Sequence, residues 1–231
     1  MGSLARLRYR LGRRRAAARM SSLLRSAAES ATTPQEVVEA ASSIAVEEFK
    51  IQPIQIRTEI EQLLALVRSE SPRRVLEIGT ANAGTLYLLA WATAPDAALL
   101  SLDIRAFDPV HHHLVESFAS GRRRVVLMQA DSHLDATRDA VARHFGGEGI
   151  DVLFIDGDHS GESVRRDYEL YAPLVRTGGL IAFHDIVDGP EELVGGVPAF
   201  WREVRSSLED PRELVESPAQ GGYGIGVGRA R

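Results

Sequence analysis

The chain has 231 residues, 44% of them hydrophobic, and a formal net charge of −5, which suits one domain with an extension and requires no second domain. It has no cysteine, which excludes disulfides and thiolate metal sites. No apolar run approaches the roughly 18 residues of a spanning helix, and the N-terminus lacks the apolar core of a secretion signal, so we expect a soluble, cytoplasmic protein without stable membrane insertion.

The first segment, residues 1–28, is strongly basic. Residues 1–25 hold eight arginines and no acid, so the remainder of the chain is distinctly acidic. We expect this arm to be poorly ordered or docked on a partner: an anionic membrane, a nucleic acid or an acidic protein. Arginine outnumbers lysine 26 to one over the whole chain, which we attribute to genome composition, so we predict no nucleic-acid function.

Residues 29–72 predict an N-terminal helical extension. Thr33-Pro34 starts a helix that continues to about Phe49, and Pro53 opens a second helix that ends near Ser71-Pro72. Because both helices precede the sheet, they are interpreted as a packing layer, with a lid or a dimer surface as alternatives.

The first predicted strand, Arg74 to Ile78, runs directly into a glycine-containing turn, Gly79 to Thr85, and then a helix to about Thr93. Strand, turn and helix N-terminus together are typical of a nucleotide site, because free amides at the helix start bind anions. The turn is neither a GKS-type phosphate loop nor GxGxxG, since no lysine follows Gly84 and position 81 is alanine. Dinucleotide binding is therefore disfavoured.

Two further strands end in polar residues. Ala98 to Ile104 contains Asp103, which lies 24 positions beyond Gly79, where an acid can bind ribose hydroxyls. Val125 to Gln129 is followed by Asp131 and Ser132, which we expect near an adenine ring. Between these strands lie three consecutive histidines, 111–113, but neighbouring helical residues point about 100° apart and cannot share one ion.

A βαβ unit follows. Ile150 to Ile155 is a buried strand, the helix after Ser160 ends at Thr177-Gly178-Gly179, and Leu180 to Phe183 is the next strand. Because carboxyl ends of parallel strands share one edge, the polar residues after both strands should converge there. Three carboxylates and two imidazoles favour a divalent cation, although aspartates that merely cap turns are the alternative. These residues are Asp156, Asp158, His159, His184 and Asp185.

The C-terminal part predicts a helix in the second half of Pro190 to Leu208, preceded by Gly195-Gly196, an ordinary turn or a gate for substrate. Glu213 to Ser217 and Tyr223 to Val227 predict an antiparallel hairpin at the sheet edge. The predicted fold is therefore α/β: a Rossmann-like, doubly wound, mostly parallel sheet of seven strands with a C-terminal antiparallel hairpin and an N-terminal helical extension.

With EIG at the first strand tip and acids at the next two, residues 73–231 resemble the class I S-adenosylmethionine-dependent methyltransferases. The pairing IDGDHS…RTGGLIAFHDI resembles, within that class, the metal-dependent O-methyltransferases, including catechol-type enzymes and those that methylate macrolide sugars. Sequences of the cephalosporin hydroxylase-like group share it.

This resemblance implies an enzyme that transfers the methyl group of S-adenosylmethionine to a hydroxyl of a small molecule or sugar. A divalent metal, expected to be magnesium, would be held by Asp156, His184 and Asp185, and His159 would be the base. Self-association into a homo-oligomer stays open. The cofactor would be bound by Glu77, Gly79, Thr80, Ala81, Gly84, Thr85, Asp103, Asp131, Ser132 and Asp156.

Two other functions stay open at this point. A nicotinamide-dependent oxidoreductase would have the same Rossmann-like fold and the same ribose-binding acid. Its glycine fingerprint is absent from this sequence, however, and this function would leave the aspartates and histidines after the two strands unexplained. A non-catalytic nucleoside-binding protein could keep the fold without turnover.

Overall fold

The computed structural model describes residues 3–231, which form nine α-helices and nine strands within that range. The helices are α1 (Ser3–Ser30), α2 (Pro34–Ser43), α3 (Arg57–Glu70), α4 (Gly84–Ala92), α5 (Pro109–Glu116), α6 (Asp135–His144), α7 (Gly161–Tyr171), α8 (Glu191–Val194) and α9 (Val197–Val204). The strands are β1 (Ala45–Val46), β2 (Phe49–Lys50), β3 (Arg74–Ile78), β4 (Ala98–Asp103), β5 (Arg124–Gln129), β6 (Ile150–Ile155), β7 (Val175–His184), β8 (Glu209–Leu214) and β9 (Ile225–Arg229).

The central sheet has seven strands in the order β5-β4-β3-β6-β7-β9-β8. β3 to β7 are mutually parallel, and β9 lies antiparallel between β7 and β8. The nearly continuous apolar sequences of β3, β4 and β6 suit strands that helices cover on both faces. The predicted α/β fold and its antiparallel C-terminal hairpin are confirmed.

The register of the parallel strands places their carboxyl ends side by side. Ile78 of β3 pairs with Leu102 of β4 and with Ile155 of β6, and Ile155 pairs with Phe183 of β7. The strand order reverses at β3, since β4 lies on one side of it and β6 on the other. Such a reversal opens a crevice at the carboxyl edge, which is where α/β proteins bind ligands.

Apolar side chains fill both faces of the sheet. On one face α1 to α4 supply completely buried residues such as Met20, Leu63 and Leu86. On the other, α7 and α9 supply Tyr171 and Trp201. The sheet is therefore doubly wound, as predicted.

The basic arm differs from the prediction of a poorly ordered segment, because its described residues form helix α1. Small and apolar side chains explain the difference: Ala16, Met20 and Leu24 are at most 3% exposed and pack into the core. Arg13 also holds α1 against the domain through two ion pairs, since its guanidinium lies 2.7 Å from Glu48 and 2.9 Å from Asp108. Docking of the arm on a partner, and the domain limits at residues 28 and 72, stay predictions.

Several further boundaries were predicted wrongly. The first strand of the C-terminal hairpin, expected over Glu213 to Ser217, spans Glu209–Leu214. The helix expected to reach Phe49 ends at Ser43, and β1 and β2 form a small antiparallel hairpin there. Pro53 precedes α3 by several residues instead of opening it. Thr177-Gly178-Gly179 lies inside β7, which begins at Val175; the register shifts between Ile150 and Val152 of the neighbouring β6, an irregularity that accommodates these residues.

Candidate functional site

A cavity of about 760 Å³ lies at the carboxyl edge of the parallel strands. Its size is within the range of small-molecule sites. The segments after β3 to β7 form most of its wall, and Ile54, Leu193, Gly222 and Tyr223 close it from other parts of the chain. Most predicted site residues line it: Gly79, Ala81, Asp103, Asp131, Ser132, Asp156, Asp158, His159, His184 and Asp185.

At the tips of β6 and β7 two acids and two histidines converge, as the sequence predicts. The Nδ1 atom of His184 lies 3.2 Å from Oδ1 of Asp156 and 3.0 Å from Oδ2 of Asp185. The Nε2 atom of His159 lies 3.3 Å from Oδ2 of Asp185 and 3.8 Å from Oδ1 of Asp156. We call these four residues the acid–histidine cluster.

Local backbone geometry directs these side chains. His184 ends β7, and Asp185 adopts φ +62°, a left-handed conformation that turns the chain sharply after the strand. Aspartate tolerates this conformation better than most residues, but it still costs free energy, and such conformations occur often at functional sites. After β6, Ser160 accepts a hydrogen bond from the Ser163 amide and caps α7, as predicted, so His159 lies just before a helix start.

The cluster perturbs the pKa values of its members. Hydrogen bonding to Asp156 outweighs burial and raises the pKa of His159 to about 9. Burial lowers the pKa of His184, but the adjacent Asp156 and Asp185 carboxylates more than compensate and raise it to about 10. Burial likewise opposes ionisation of Asp156, yet the two histidines lower its pKa below the ordinary value. The two carboxylates therefore favour the protonated form of both imidazoles.

His159 is oriented by the carbonyl oxygen of Leu193, to which its Nδ1 atom donates a hydrogen bond. The Nε2 atom consequently faces the carboxylates and the cavity.

The residues fit a divalent cation. One ligand atom from each of Asp156, His184 and Asp185 can be chosen so that all three lie within 4.8 Å of one another. His184 is 4% exposed, and its Nδ1 atom is the ring nitrogen that faces both carboxylates. Two carboxylates with one imidazole suit manganese, iron or zinc as well as magnesium, which prefers oxygen ligands.

Gln55 is a site residue that the sequence does not reveal. Its Nε2 atom donates to Oδ2 of Asp156 at 2.7 Å, and its Oε1 atom accepts from the Thr85 hydroxyl at 2.9 Å. The segment before α3 thus connects the start of α4 with an expected metal ligand. Gln55 lies 101 positions from Asp156 and belongs to no motif, so sequence spacing carries no signal for this pair.

The other half of the cavity surrounds Asp103 at the end of β4. Its carboxylate accepts hydrogen bonds from the amides of Thr80 and Ala81 at 3.2 and 3.3 Å, and from the Arg105 side chain at 3.0 Å. Burial opposes ionisation, but these bonds, led by Arg105, lower the pKa of Asp103. The acid is thus charged and fixed beside the glycine turn, the position expected of a ribose ligand.

The remaining four predicted cofactor residues are not among the described residues that line the cavity. Glu77 is completely buried, the Ser101 hydroxyl donates to it, and burial raises its pKa well above the ordinary value. Thr80 bonds Ser101 at 2.6 Å, and Thr85 bonds Gln55. A Cβ placed at Gly84 would overlap the backbone of Ile51 and Pro53, so this glycine admits the segment that carries Gln55. Direct cofactor contact by these four stays a prediction.

Asp167 of α7 is a second residue that the sequence did not single out. It is 1% exposed, and neither of its carboxylate oxygens has a hydrogen-bond partner in the described part of the chain. Its Oδ1 atom lies 3.6 Å from Nε2 of His133, which lines the cavity after β5. Burial raises the pKa of Asp167 to about 6.

Comparison with known proteins finds a family model that resembles the central part of the chain. Residues 76–186, just under half of the chain, match the family model described as a methyltransferase domain. This part of the chain is therefore similar to methyltransferase domains. The predicted resemblance to class I methyltransferases is thereby confirmed, and the matched range contains the acid–histidine cluster and Asp103.

Solved structures agree with the methyltransferase fold. The O-methyltransferase TomG from Streptomyces achromogenes, involved in tomaymycin synthesis and solved with S-adenosylmethionine, is 19% identical with a TM-score of 0.59, over 85% of this chain and 89% of that one. MycE methyltransferase from the mycinamycin biosynthetic pathway, solved with magnesium and S-adenosylhomocysteine, is 21% identical with a TM-score of 0.51, over 74% of this chain and 48% of that one. At these identities the likeness establishes the fold.

A curated relative matches only a short stretch. Uncharacterized protein R132 of Acanthamoeba polyphaga mimivirus is 52% identical over 40 residues, which are 17% of this chain and 18% of that protein. The alignment thus spans less than a fifth of either chain. Separately, none of the helices within residues 3–231 has the length and apolar content needed to cross a membrane.

Proposed function

We propose that the protein is an S-adenosylmethionine-dependent O-methyltransferase that uses a divalent cation to methylate a hydroxyl of a small molecule or sugar. The convergence of Asp156, His159, His184 and Asp185 beside the Asp103 crevice carries this proposal. A nicotinamide-dependent oxidoreductase would leave that cluster unexplained. The solved likenesses support the proposal, since TomG and MycE are methyltransferases bound to this cofactor or its demethylated product.

The cofactor would lie along the tips of β3 to β5. Asp103 would accept hydrogen bonds from both ribose hydroxyls, and Asp131 with Ser132 would lie beside the adenine ring. The acid–histidine cluster at the tips of β6 and β7 would then hold the acceptor hydroxyl in the same cavity. The protein's contribution is alignment of the hydroxyl oxygen with the methyl carbon.

Asp156 and Asp185 would hold the cation, with the His184 imidazole as the third ligand. A divalent cation held there would supply Lewis-acid chemistry that lowers the proton affinity of an acceptor hydroxyl, and its charge would offset the carboxylates that raise the pKa of His159. His159, whose ring is oriented by the Leu193 carbonyl, would take the hydroxyl proton on Nε2. General-base assistance of this kind is typically worth about 10²–10⁴-fold in rate.

The proposal is tested by incubating the protein and isotopically labelled S-adenosylmethionine with native extract, with and without a chelator. We expect label to move into a small molecule or glycan, and chelation to abolish the transfer while leaving much of the cofactor binding intact. Full transfer after exhaustive chelation would show that the acid–histidine cluster is structural. Cofactor binding without any transfer would favour a non-catalytic nucleoside-binding protein.

His159→Ala separates the base from the cation ligands. This variant should keep metal and cofactor binding, lower kcat by about 10²-fold or more, and lose the acid limb of its pH profile. Asp156→Ala is the contrasting variant and should lose the metal. If the acid limb of His159→Ala matches that of the wild type, His159 is not the base.

A further inference from the structure

Helix α1 extends beyond the body of the protein on the side of the cavity. Its C-terminal half is fixed near the far edge of the sheet, since the carbonyl of Ala31, just after α1, accepts from Trp91 at the end of α4. Arg13 bonds Asp108, which follows the carboxyl end of β4. At 1.5 Å per residue, the helix therefore continues about 15 Å past Arg13, beyond the edge at which the cavity lies.

The projecting part of α1 is basic and carries exposed apolar residues. Residues 6–11 are all exposed, with Leu7 54% and Leu11 45% accessible. At about 100° per residue Leu7 and Leu11 share one face, roughly opposite Met20 and Leu24, which are buried in the core. Arginines lie on either side of this face, and four of them form no ion pair within the described residues: Arg8, Arg10, Arg14 and Arg15.

Exposed apolar side chains also surround the cavity. Ile54, Ile104 and Leu193 line it, yet they are 59%, 69% and 51% exposed. Large exposed apolar residues are costly when they cluster, and clusters of them usually mark an interaction surface. Ile104 begins the loop that leads to Asp108, which binds Arg13, so this part of the rim is joined directly to the start of the projecting part of α1.

We propose that the projecting part of α1 and the apolar rim of the cavity dock on an anionic lipid surface. Leucines flanked by arginines are the composition of helices that lie in the headgroup region, with apolar residues inserted and cations on the lipid phosphates. Nucleic acid would use the arginines and leave the leucines unexplained. A second copy docked on the same face would set arginines against arginines, because a two-fold interface places like surfaces together.

The docking surface adds a class of substrate to the proposed function. That addition rests on the proposed methyl transfer. Docking would set the mouth of the cavity at the membrane, so the acceptor hydroxyl would belong to a membrane-borne molecule, such as a lipid headgroup or lipid-linked sugar. Docking itself requires no turnover, so it is tested independently of methyl transfer.

The test is co-sedimentation of the full chain with vesicles of phosphatidylcholine alone or mixed equally with phosphatidylglycerol. We expect binding to the anionic vesicles at low salt, and its loss at about 1 M salt, where the Debye length is about 3 Å. Arg8→Gln/Arg14→Gln/Arg15→Gln should lower the partition coefficient at least about tenfold. Leu7→Ser/Leu11→Ser should lower it as well.

The matched control removes three other exposed arginines, Arg122→Gln/Arg124→Gln/Arg143→Gln, and should bind the vesicles like the wild type. Circular dichroism and cofactor affinity verify that each variant is folded. Equal losses in the test and control variants, absence of binding to anionic vesicles, or a dimer in light scattering that Leu7→Ser/Leu11→Ser abolishes would each overturn the proposal.

Discussion

Asp167 shows how a single buried carboxyl can make stability depend on pH. Its pKa is raised to about 6 by burial, so the folded state binds a proton that the unfolded chain has released above its ordinary pKa near 3.8. Stability should therefore fall as pH rises from about 4 to 6 and stay reduced above that window. A shift of about two units corresponds to roughly 3 kcal/mol at most.

We accordingly expect Asp167→Asn to be more stable than the wild type at pH 7 to 8 and to lose the decline between pH 4 and 6. Urea unfolding across this pH range measures both effects. Asp158→Asn is the control, because hydrogen bonding from Ser163 lowers the pKa of Asp158, and neutralising it should not stabilise the protein. If the stability of Asp167→Asn falls between pH 4 and 6 as much as that of the wild type, other groups cause the fall.

Asp103 gives a prediction for cofactor binding. Asp103→Ala removes the charged acceptor fixed by the glycine turn and should weaken S-adenosylmethionine binding by about 1.5–3 kcal/mol for each ribose hydrogen bond lost. Isothermal calorimetry measures the affinity. Asp139→Ala, which removes an exposed acid paired with Arg138, should bind normally. An unchanged Kd for Asp103→Ala would remove the ribose assignment.

Gln55 gives the corresponding prediction for the metal. Because its amide holds Oδ2 of Asp156, Oδ1 is left to face His184, and losing this support should reduce Mn²⁺ or Mg²⁺ affinity by about 10–100-fold. Calorimetric titration of Gln55→Ala tests this. Gln35→Ala, whose amide donates to Glu61 far from the acid–histidine cluster, is the control. Equal metal affinity in both variants would show that Asp156 needs no such support.

Among the elements, α1 should contribute to stability through one face only. Leu24 is 1% exposed in the core, whereas the adjacent Leu23 is 42% exposed. Leu24→Ala should cost about 2–5 kcal/mol, and Leu23→Ala less than about 0.5 kcal/mol. Denaturant unfolding of both variants checks this. Equal small losses would mean that the helix does not pack on the domain in solution.

The strands and the site differ in how far sequence could predict them. β3 and β6 match their predicted bounds because unbroken apolar runs between turn residues have few alternative readings. The predicted strand begins at Leu180, whereas β7 begins at Val175. Thr177-Gly178-Gly179 resembles a helix end in the sequence, and only the pairing of β7 with its neighbouring strands shows that this segment is strand. The acid–histidine cluster follows strand tips and could be predicted, whereas Gln55 reaches the site through tertiary packing alone.

At the scale of the whole molecule, Glu59 joins the N-terminal extension to the end of the chain. This α3 carboxylate is completely buried and accepts hydrogen bonds from the Glu216 amide at 3.1 Å, the Gln220 side chain at 2.7 Å and the Gly224 amide at 2.9 Å. The loop it holds carries Gly222 and Tyr223, which line the cavity. The extension thus shapes the site without belonging to the methyltransferase domain match.

Glu59→Ala should lower the free energy of unfolding by about 1–3 kcal/mol, because it leaves the buried Gly224 amide unsatisfied and removes the acceptor of the half-buried Gln220 side chain. The loop at residues 216–224 should also become sensitive to limited proteolysis. Glu61→Ala, which removes a nearby α3 acid bonded to Arg57, should change neither property much. A Glu59→Ala protein with normal stability and a resistant loop would contradict this account.

The partners of Glu59 are synthesised 157 to 165 residues after it. At a translation rate of about 5–20 residues per second, on the order of ten seconds pass before the ribosome delivers them. During that interval the nascent chain can pair β3 with β4, but Glu59 still awaits its donors and the cavity lacks the wall that Gly222 and Tyr223 provide. Completion of the binding cavity therefore has to wait until residues 216–224 have left the ribosome.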